Sequence, residues 1–244
     1  MCIPDSHILS KNTDGSVDLD FLQGSMILVD KPLEWTSFDV VNKIRFALKH
    51  KLGVKKIKVG HAGTLDPLAT GLLILCTGKF TKKIDQVQGL DKVYTGHMKL
   101  GATTPTYDAE ADEDQNYPFE HIDQKRMDTA AATFMGDIEQ VPPIYSAVKI
   151  KGTPAYKLAR RGKDVVLKAR PVHIHEFTTE LQQPQQATFH VSCSKGTYIR
   201  SLIHDLGKQM DSGAYLKSLR RTAIGTYQVD NALTIDRIIE IINM

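Results

Sequence analysis

Residues Gly60 to Leu75 read GHAGTLDPLATGLLIL: three glycines, an aspartate and a proline set before an unbroken apolar run. Leu72-Leu73-Ile74-Leu75 reads as a fully buried strand, and the segment before it as a tight turn held against something. Glycine is used where φ must be positive or where the backbone closely approaches a neighbour. Asp66 precedes Pro67, so its backbone is pushed out of the α region while the proline ring is preset for a first helical turn. Two readings follow. Asp66 could cap a helix, accepting a backbone N–H from the Pro67–Thr70 turn. Alternatively it is a carboxylate presented on a rigid turn at the mouth of a cleft, which would also account for His61, Gly60 and Gly63.

The rest of the chain alternates short strands and helices. Residues 1–23 are polar with little periodicity and read as a mobile or loosely attached lead-in. Met26–Val29 is a strand candidate, and Lys31 beside Pro32 reads as a surface turn residue. Thr36 or Ser37 can cap a helix with Val40, Val41, Ile44, Ala47 and Leu48 on one face. Val93–Leu100 alternates, with Tyr94, Met98 and Leu100 on one face, and spacing alone makes Tyr94 a core residue. Gly101–Pro118 reads as a polar, acidic loop. Asp123 can cap a helix bearing Met127, Ala130, Ala131 and Phe134, ended by Gly136. Val141–Tyr145 is extended around two prolines. His173 and His175 share one face of a strand, but no third ligand is evident, so no metal is expected. A strand at 189–193 runs into Ser194-Lys195-Gly196-Thr197, then a helix with Ile199, Leu202, Ile203, Leu206 and Met210 inward. Tyr198 and Arg200 sit at that junction. Thr234 caps a last helix. Without a regular βαβ repeat or a dinucleotide fingerprint, the pattern argues for an α+β fold rather than a doubly wound sheet.

The segments LVDKPLEWTSFDVVNKIR, GHAGTLDPLATGLL, KVYTGHMKLGATTPTYDAEAD, GDIEQVPPIYSAVKIKGTPAYKLARRG, CSKGTYIRSLIHDLG and LRRTAIGTY, in that order, resemble the tRNA pseudouridine synthase B (TruB) family from about Gly24 onward. The resemblance implies a mixed, mostly antiparallel central sheet with an insertion near 101–140 that grips RNA. It implies isomerisation of the T-loop uridine, position 55 of tRNA, to pseudouridine. Asp66 matches the family's catalytic aspartate and Arg200 the arginine that pairs with it. Tyr94 matches the tyrosine stacked on the target base, and Leu219 a residue packed against it. Tyr198 would be a polar or stacking contact, and His61 would help hold or displace the target nucleotide. The implied domain spans 24–244, without the small RNA-binding PUA domain of longer members.

Composition fits an RNA enzyme without demanding one. A net charge of +3 is small, but lysines crowd at 49–58 and 79–83, and further cations at 160–170 and 220–221. Such runs are either solvated faces or a groove tracking phosphates. No apolar run reaches the ~20 residues needed to span a bilayer, and no secretory leader is visible. Three scattered cysteines argue against a disulfide framework, so a cytoplasmic setting is expected, with a monomer as the default. Two other classes fit an aspartate with basic runs. A nucleoside or sugar glycosidase would want a second carboxylate, for which Asp39, Asp85 and Asp205 are candidates. A non-catalytic RNA-binding protein would not need Asp66 at all. Pseudouridine formation requires neither redox change nor energy source, so no cofactor is expected.

Overall fold

The computed structural model describes residues 4–13 and 19–244. In chain order the elements are β1 (Ile8–Leu9), β2 (Met26–Lys31), α1 (Ser37–Lys51), β3 (Val59–His61), β4 (Ala69–Thr77), α2 (Ile84–Gln88), β5 (Lys92–Leu100), β6 (Ala102–Thr103) and β7 (Gln115–Asn116). There follow α3 (Gln124–Ala132), β8 (Gly136–Gln140), β9 (Lys149–Ile150), β10 (Thr153–Pro154), α4 (Ala155–Ala159), β11 (Arg170–Gln183) and β12 (Gln186–Cys193). The last are α5 (Ile199–Gln209), β13 (Ala214–Ile224), β14 (Tyr227–Gln228) and α6 (Ile235–Asn243). Strand pairing is mixed and mostly antiparallel, as expected: β1 and β2 are parallel, whereas β2–β4, β3–β4, β8–β11, β11–β12 and β13–β14 are antiparallel. The chain forms two compact units, residues 1–93 with 220–244, and residues 94–219.

In the first unit, alternate residues of β2 and β4 feed two apolar layers. Ile27, Val29, Leu73 and Leu75 pack with Val40, Val41, Ile44 and Leu48 of α1 and Ile235, Ile238 and Ile242 of α6. Met26, Leu28, Leu72, Ile74 and Cys76 pack on the other side with Ala62, Val87, Ile224 and Val229. A strand covered on both faces has no polar side, which is why Leu72–Leu75 is unbroken in sequence. Each such fully buried side chain contributes about 1.5–3 kcal/mol. Helix α1 starts with a capping box: Thr36 Oγ1 accepts from Asp39 N, and the Asp39 carboxylate accepts from Thr36 N, each at 3.0 Å. Asp39 is exposed on the first turn of α1 and caps the helix.

The N-terminal lead-in differs from expectation. Ile8 and Leu9 are buried and pair with Met26 and Ile27, so two apolar side chains tie this polar stretch to the sheet. The lead-in residues 1–3 and 14–18 lie outside the described residues.

In the second unit, β12, β11 and β8 form a meander in which Thr179 faces Phe189 and Val172 faces Ile138. Asp123 caps α3 by accepting from Arg126 N at 2.7 Å. The Gln124 amide from α3 joins the main chain of β11, accepting from Leu181 N at 2.8 Å and donating to Thr179 O at 2.8 Å. Helix α5 buries Ile199, Leu202, Ile203 and Leu206 on its inner face. The segment expected as a polar loop, 101–118, is polar but partly interior: Thr104, Thr106 and Asp108 are buried. Their hydroxyl and carboxylate groups bond one another and the local backbone, Thr106 Oγ1 donating to Asp108 Oδ1 at 2.6 Å. A buried polar segment is sustained by such internal satisfaction.

Candidate active site

The loop carrying Asp66 is anchored on both sides of that residue. Ala62 N donates to Ile74 O at 2.9 Å. Arg221 Nη2 donates to Gly63 O at 3.1 Å, and its Nη1 lies 3.5 Å from Thr64 O. The Ser37 hydroxyl from α1 accepts from Leu65 N at 2.8 Å and donates to Leu65 O at 3.1 Å. Pro67 O accepts from Glu34 N at 2.9 Å and from Lys31 Nζ at 3.3 Å. Asp66 itself is half-buried. Its carbonyl accepts from Ala69 N at 3.0 Å, which closes a turn over Pro67 and Leu68. Strand β4 begins at Ala69, so no helix follows Pro67 and the helix-cap alternative is overturned.

Two cations that look superficial in sequence are interior here. Lys31, expected at the surface, is fully buried and donates to the carbonyls of Pro32 (2.9 Å) and Trp35 (2.6 Å) as well as Pro67. Burial lowers its ammonium from the usual 10.5 to about 8; the Asp66 carboxylate opposes that shift, and the Arg221 charge adds to it. Arg221 is 1% exposed, which removes it from any phosphate-tracking surface. Its neighbour Arg220 is occupied by Asp30, at 2.7 and 3.0 Å. The lysines at 49, 51, 55, 56, 58, 79 and 82 are all exposed. His61, at the end of β3, is half-buried; desolvation and the Arg221 charge lower its pKa, with the Gly63 backbone working against them. Both effects favour the uncharged imidazole, and its buried Nδ1 has no hydrogen-bond partner among the described residues.

In the second unit, the strand-to-helix junction is built around Gln140 of β8. The Gln140 side-chain amide is buried; it accepts from Tyr198 N at 2.7 Å and donates to Tyr198 O at 3.1 Å. Ser201 Oγ donates to Val141 O at 2.8 Å. These bonds fix the first turn of α5, where Tyr198 is half-buried and Arg200 is 5% exposed. Arg200 donates to Thr106 O (3.1 Å) and Tyr145 O (2.9 Å), and its guanidinium lies 3.5 Å from the Asp108 carboxylate. Asp108, Thr106 and Gln140 were not singled out in the sequence. Asp108 was hidden within an acidic block, although the capacity of arginine for several bonds was a signal that it would need further acceptors. Tyr94 is 8% exposed, in keeping with the core position its spacing suggested, and Leu219 is half-buried. Tyr94 and Leu219 are the first and last residues of this unit, whereas His61 and Asp66 belong to the other.

One turn beyond Arg200 on α5, the His204 ring stacks on Tyr107, centroids 3.7 Å apart and planes at 11°. Burial, and then the nearby Lys208 charge, push the His204 pKa down to about 4, with Asp114 acting in the opposite direction. The unfolded state therefore binds the proton first as pH falls. Stability is expected to drop as pH falls from about 6.5 to about 4, by up to about 3 kcal/mol from this group. Urea denaturation of the wild type and His204→Gln across that range checks this: the wild type should lose stability more steeply. Parallel pH dependences would refute it.

Comparison with known proteins settles the lineage. The model for the N-terminal domain of the TruB family pseudouridylate synthases matches residues 49–199, and that for the tRNA pseudouridylate synthase B C-terminal domain matches residues 200–244. The chain belongs to the TruB family. It is 52% identical over 217 residues to the tRNA pseudouridine synthase B of Flavobacterium johnsoniae, covering 88% of this chain and 95% of that one. It is 50% identical to that of Phocaeicola vulgatus, covering 89% and 93%. Among solved structures, a Cbf5–Nop10–Gar1 complex matches with a TM-score of 0.66 and 27% identity over 90% of this chain. This TruB family chain spans 54%, about half, of that matched chain. The fold is therefore the pseudouridine synthase fold, and Asp66, His61 and Arg200 lie within the segments that the family models cover.

Proposed function

We propose that this TruB family isomerase converts the T-loop uridine of tRNA to pseudouridine, with Asp66 as its essential carboxylate. The observation that carries the reading is the Asp66 loop, in which residues 62–65 and 67 are fixed by hydrogen bonds from outside the loop while the aspartate side chain stands on a rigid turn. The reaction breaks the bond between N1 and C1′ and forms one between C5 and C1′. C5 loses a proton and N1 gains one. Atoms and electrons balance without an added reactant. What is required is a carboxylate at the sugar or base and a base taken out of its stack.

Roles follow residue by residue. Arg200 is the ion-pair partner of Asp66, a cation whose several donors suit it to more than one acceptor. Tyr94 stacks on the uracil, since an aromatic face holds an unstacked base. Leu219 bounds the pocket, Tyr198 supplies a further contact, and His61 helps hold or displace the target nucleotide. The exposed lysines at 49–58 and 79–82 and the exposed cations at 160–170 track RNA phosphates. No helix among the described residues is long and apolar enough to cross a membrane. The proposed setting is cytoplasmic and the proposed state monomeric; sedimentation at twice the chain mass would overturn the latter.

The test uses a T-arm stem-loop tritiated at C5 of its loop uridine. Tritium release at that single uridine, confirmed by mapping, is the expected result. Release from full-length tRNA only would move recognition beyond the T arm. Binding without release from either RNA would favour a non-catalytic role.

A further inference from the structure

We propose that Arg221 is a positioning residue for catalysis, holding the loop that presents Asp66; the proposal rests on Asp66 being the reactive carboxylate. An arginine at the end of a basic pair would ordinarily face solvent or phosphate. Here it is 1% exposed and points inward. Its Nε donates to Leu72 O at 2.8 Å, anchoring the guanidinium on β4. Its two terminal nitrogens face the carbonyls of Gly63 and Thr64, immediately upstream of Leu65 and Asp66. One planar fork therefore ties the strand after the motif to the loop before the aspartate, a span that a lysine could not bridge with the same geometry. Gly63 adopts φ +96°, so its carbonyl is turned by a backbone conformation open mainly to glycine.

The approach is close on the main-chain side as well. A Cβ on Gly71 would lie 2.3 Å from Arg221 O and 2.8 Å from Arg221 N. The glycine that closes the motif thus lets the Arg221 backbone sit against β4, from where its side chain reaches the loop. The same charge bears on Lys31 and His61, two titratable groups near the loop in this unit. Arg221 therefore acts on Asp66 through geometry and on its surroundings through charge. It need not touch the RNA.

The experiment compares wild type, Asp66→Asn, Arg221→Lys and Arg221→Gln in single-turnover and steady-state tritium release on the T-arm stem-loop. Circular dichroism and urea melts report folding, and histidine NMR titration reports His61. A displacement of the reacting group by an ångström or so costs on the order of 100-fold in rate. Arg221→Lys is expected to lower kcat by roughly 10- to 100-fold and Arg221→Gln by more, with KM for the RNA changed less than about threefold. In Arg221→Gln the His61 pKa should rise, because a neighbouring positive charge is gone. Folded variants with kcat within about twofold of wild type would overturn the proposal. So would a loss confined to KM, or an unmoved His61 titration. If neither variant folds, Arg221 serves stability alone and the positioning role is withdrawn. Activity retained by Asp66→Asn would instead condemn the assignment of Asp66, independently of how the Arg221 variants behave.

Discussion

Asp66→Asn is expected to abolish tritium release while leaving the fold and T-arm binding intact. The substitution keeps the size of the side chain and a residue type suited to turns. It also keeps the backbone bond from Ala69 N to residue 66 O and every anchor on residues 62–65 and 67. What disappears is the negative charge and the lone-pair basicity that the proposed mechanism requires at the reacting sugar or base. A fall of on the order of 10⁴-fold or more in the single-turnover rate, about 5.5 kcal/mol or more of transition-state stabilisation, is the scale for an essential group. RNA affinity, assigned under the proposed function to exposed cations elsewhere, should change by less than about threefold. A variant with a tenth of wild-type activity would remove Asp66 from the chemistry.

Gly71→Ala should be among the most destabilising single-methyl additions in the first unit. Gly71 pairs with Lys31 at the start of β4 and adopts φ +100°. A methyl there meets the Arg221 backbone at 2.3, 2.8 and 3.0 Å, and backbone cannot step aside as the end of a side chain can. Left-handed strain costs about 1–2 kcal/mol and overpacking about 1–3 kcal/mol, so a loss of roughly 2–5 kcal/mol is expected. Urea denaturation should show a lower midpoint at an unchanged slope. A loss below about 1 kcal/mol would mean that the Arg221 backbone gives way beside Gly71 more easily than these distances suggest.

The parts of the fold that could be read from sequence are those governed by local chemistry. Thr36, Asp123 and Thr234 cap helices because a side-chain oxygen reaches a backbone N–H three residues on. The run at 72–75 announced a strand with no solvent face. The turn at Pro67 was different. Proline is equally content at the start of a helix and in a turn, and the choice was made by Glu34 and Lys31, more than thirty residues away in sequence, through their bonds to Pro67 O. Lys31 and Arg221 were unreadable for a related reason: nothing local distinguishes a solvated cation from one that satisfies two or three buried carbonyls. Ile8 and Leu9 were too few to stand out in a polar lead-in, and needed the edge of β2 to become a strand. For the candidate site, motif resemblance singled out Asp66, Arg200 and their companions, whereas the supporting bonds of Ser37, Gln140 and Asp108 emerged only from tertiary structure.

Each unit also contains a natural stopwatch. Cys76 lies fully buried in β4 of the first unit and Cys193 fully buried in β12 of the second. Burial raises the Cys76 thiol to about 11, so at neutral pH almost none of it is the reactive thiolate. Alkylating reagents can therefore reach these two sulfurs only as fast as their own strands open. Time-resolved mass spectrometry of the two sites would clock the breathing of each half of the molecule separately, and would reveal whether bound RNA quiets one half before the other.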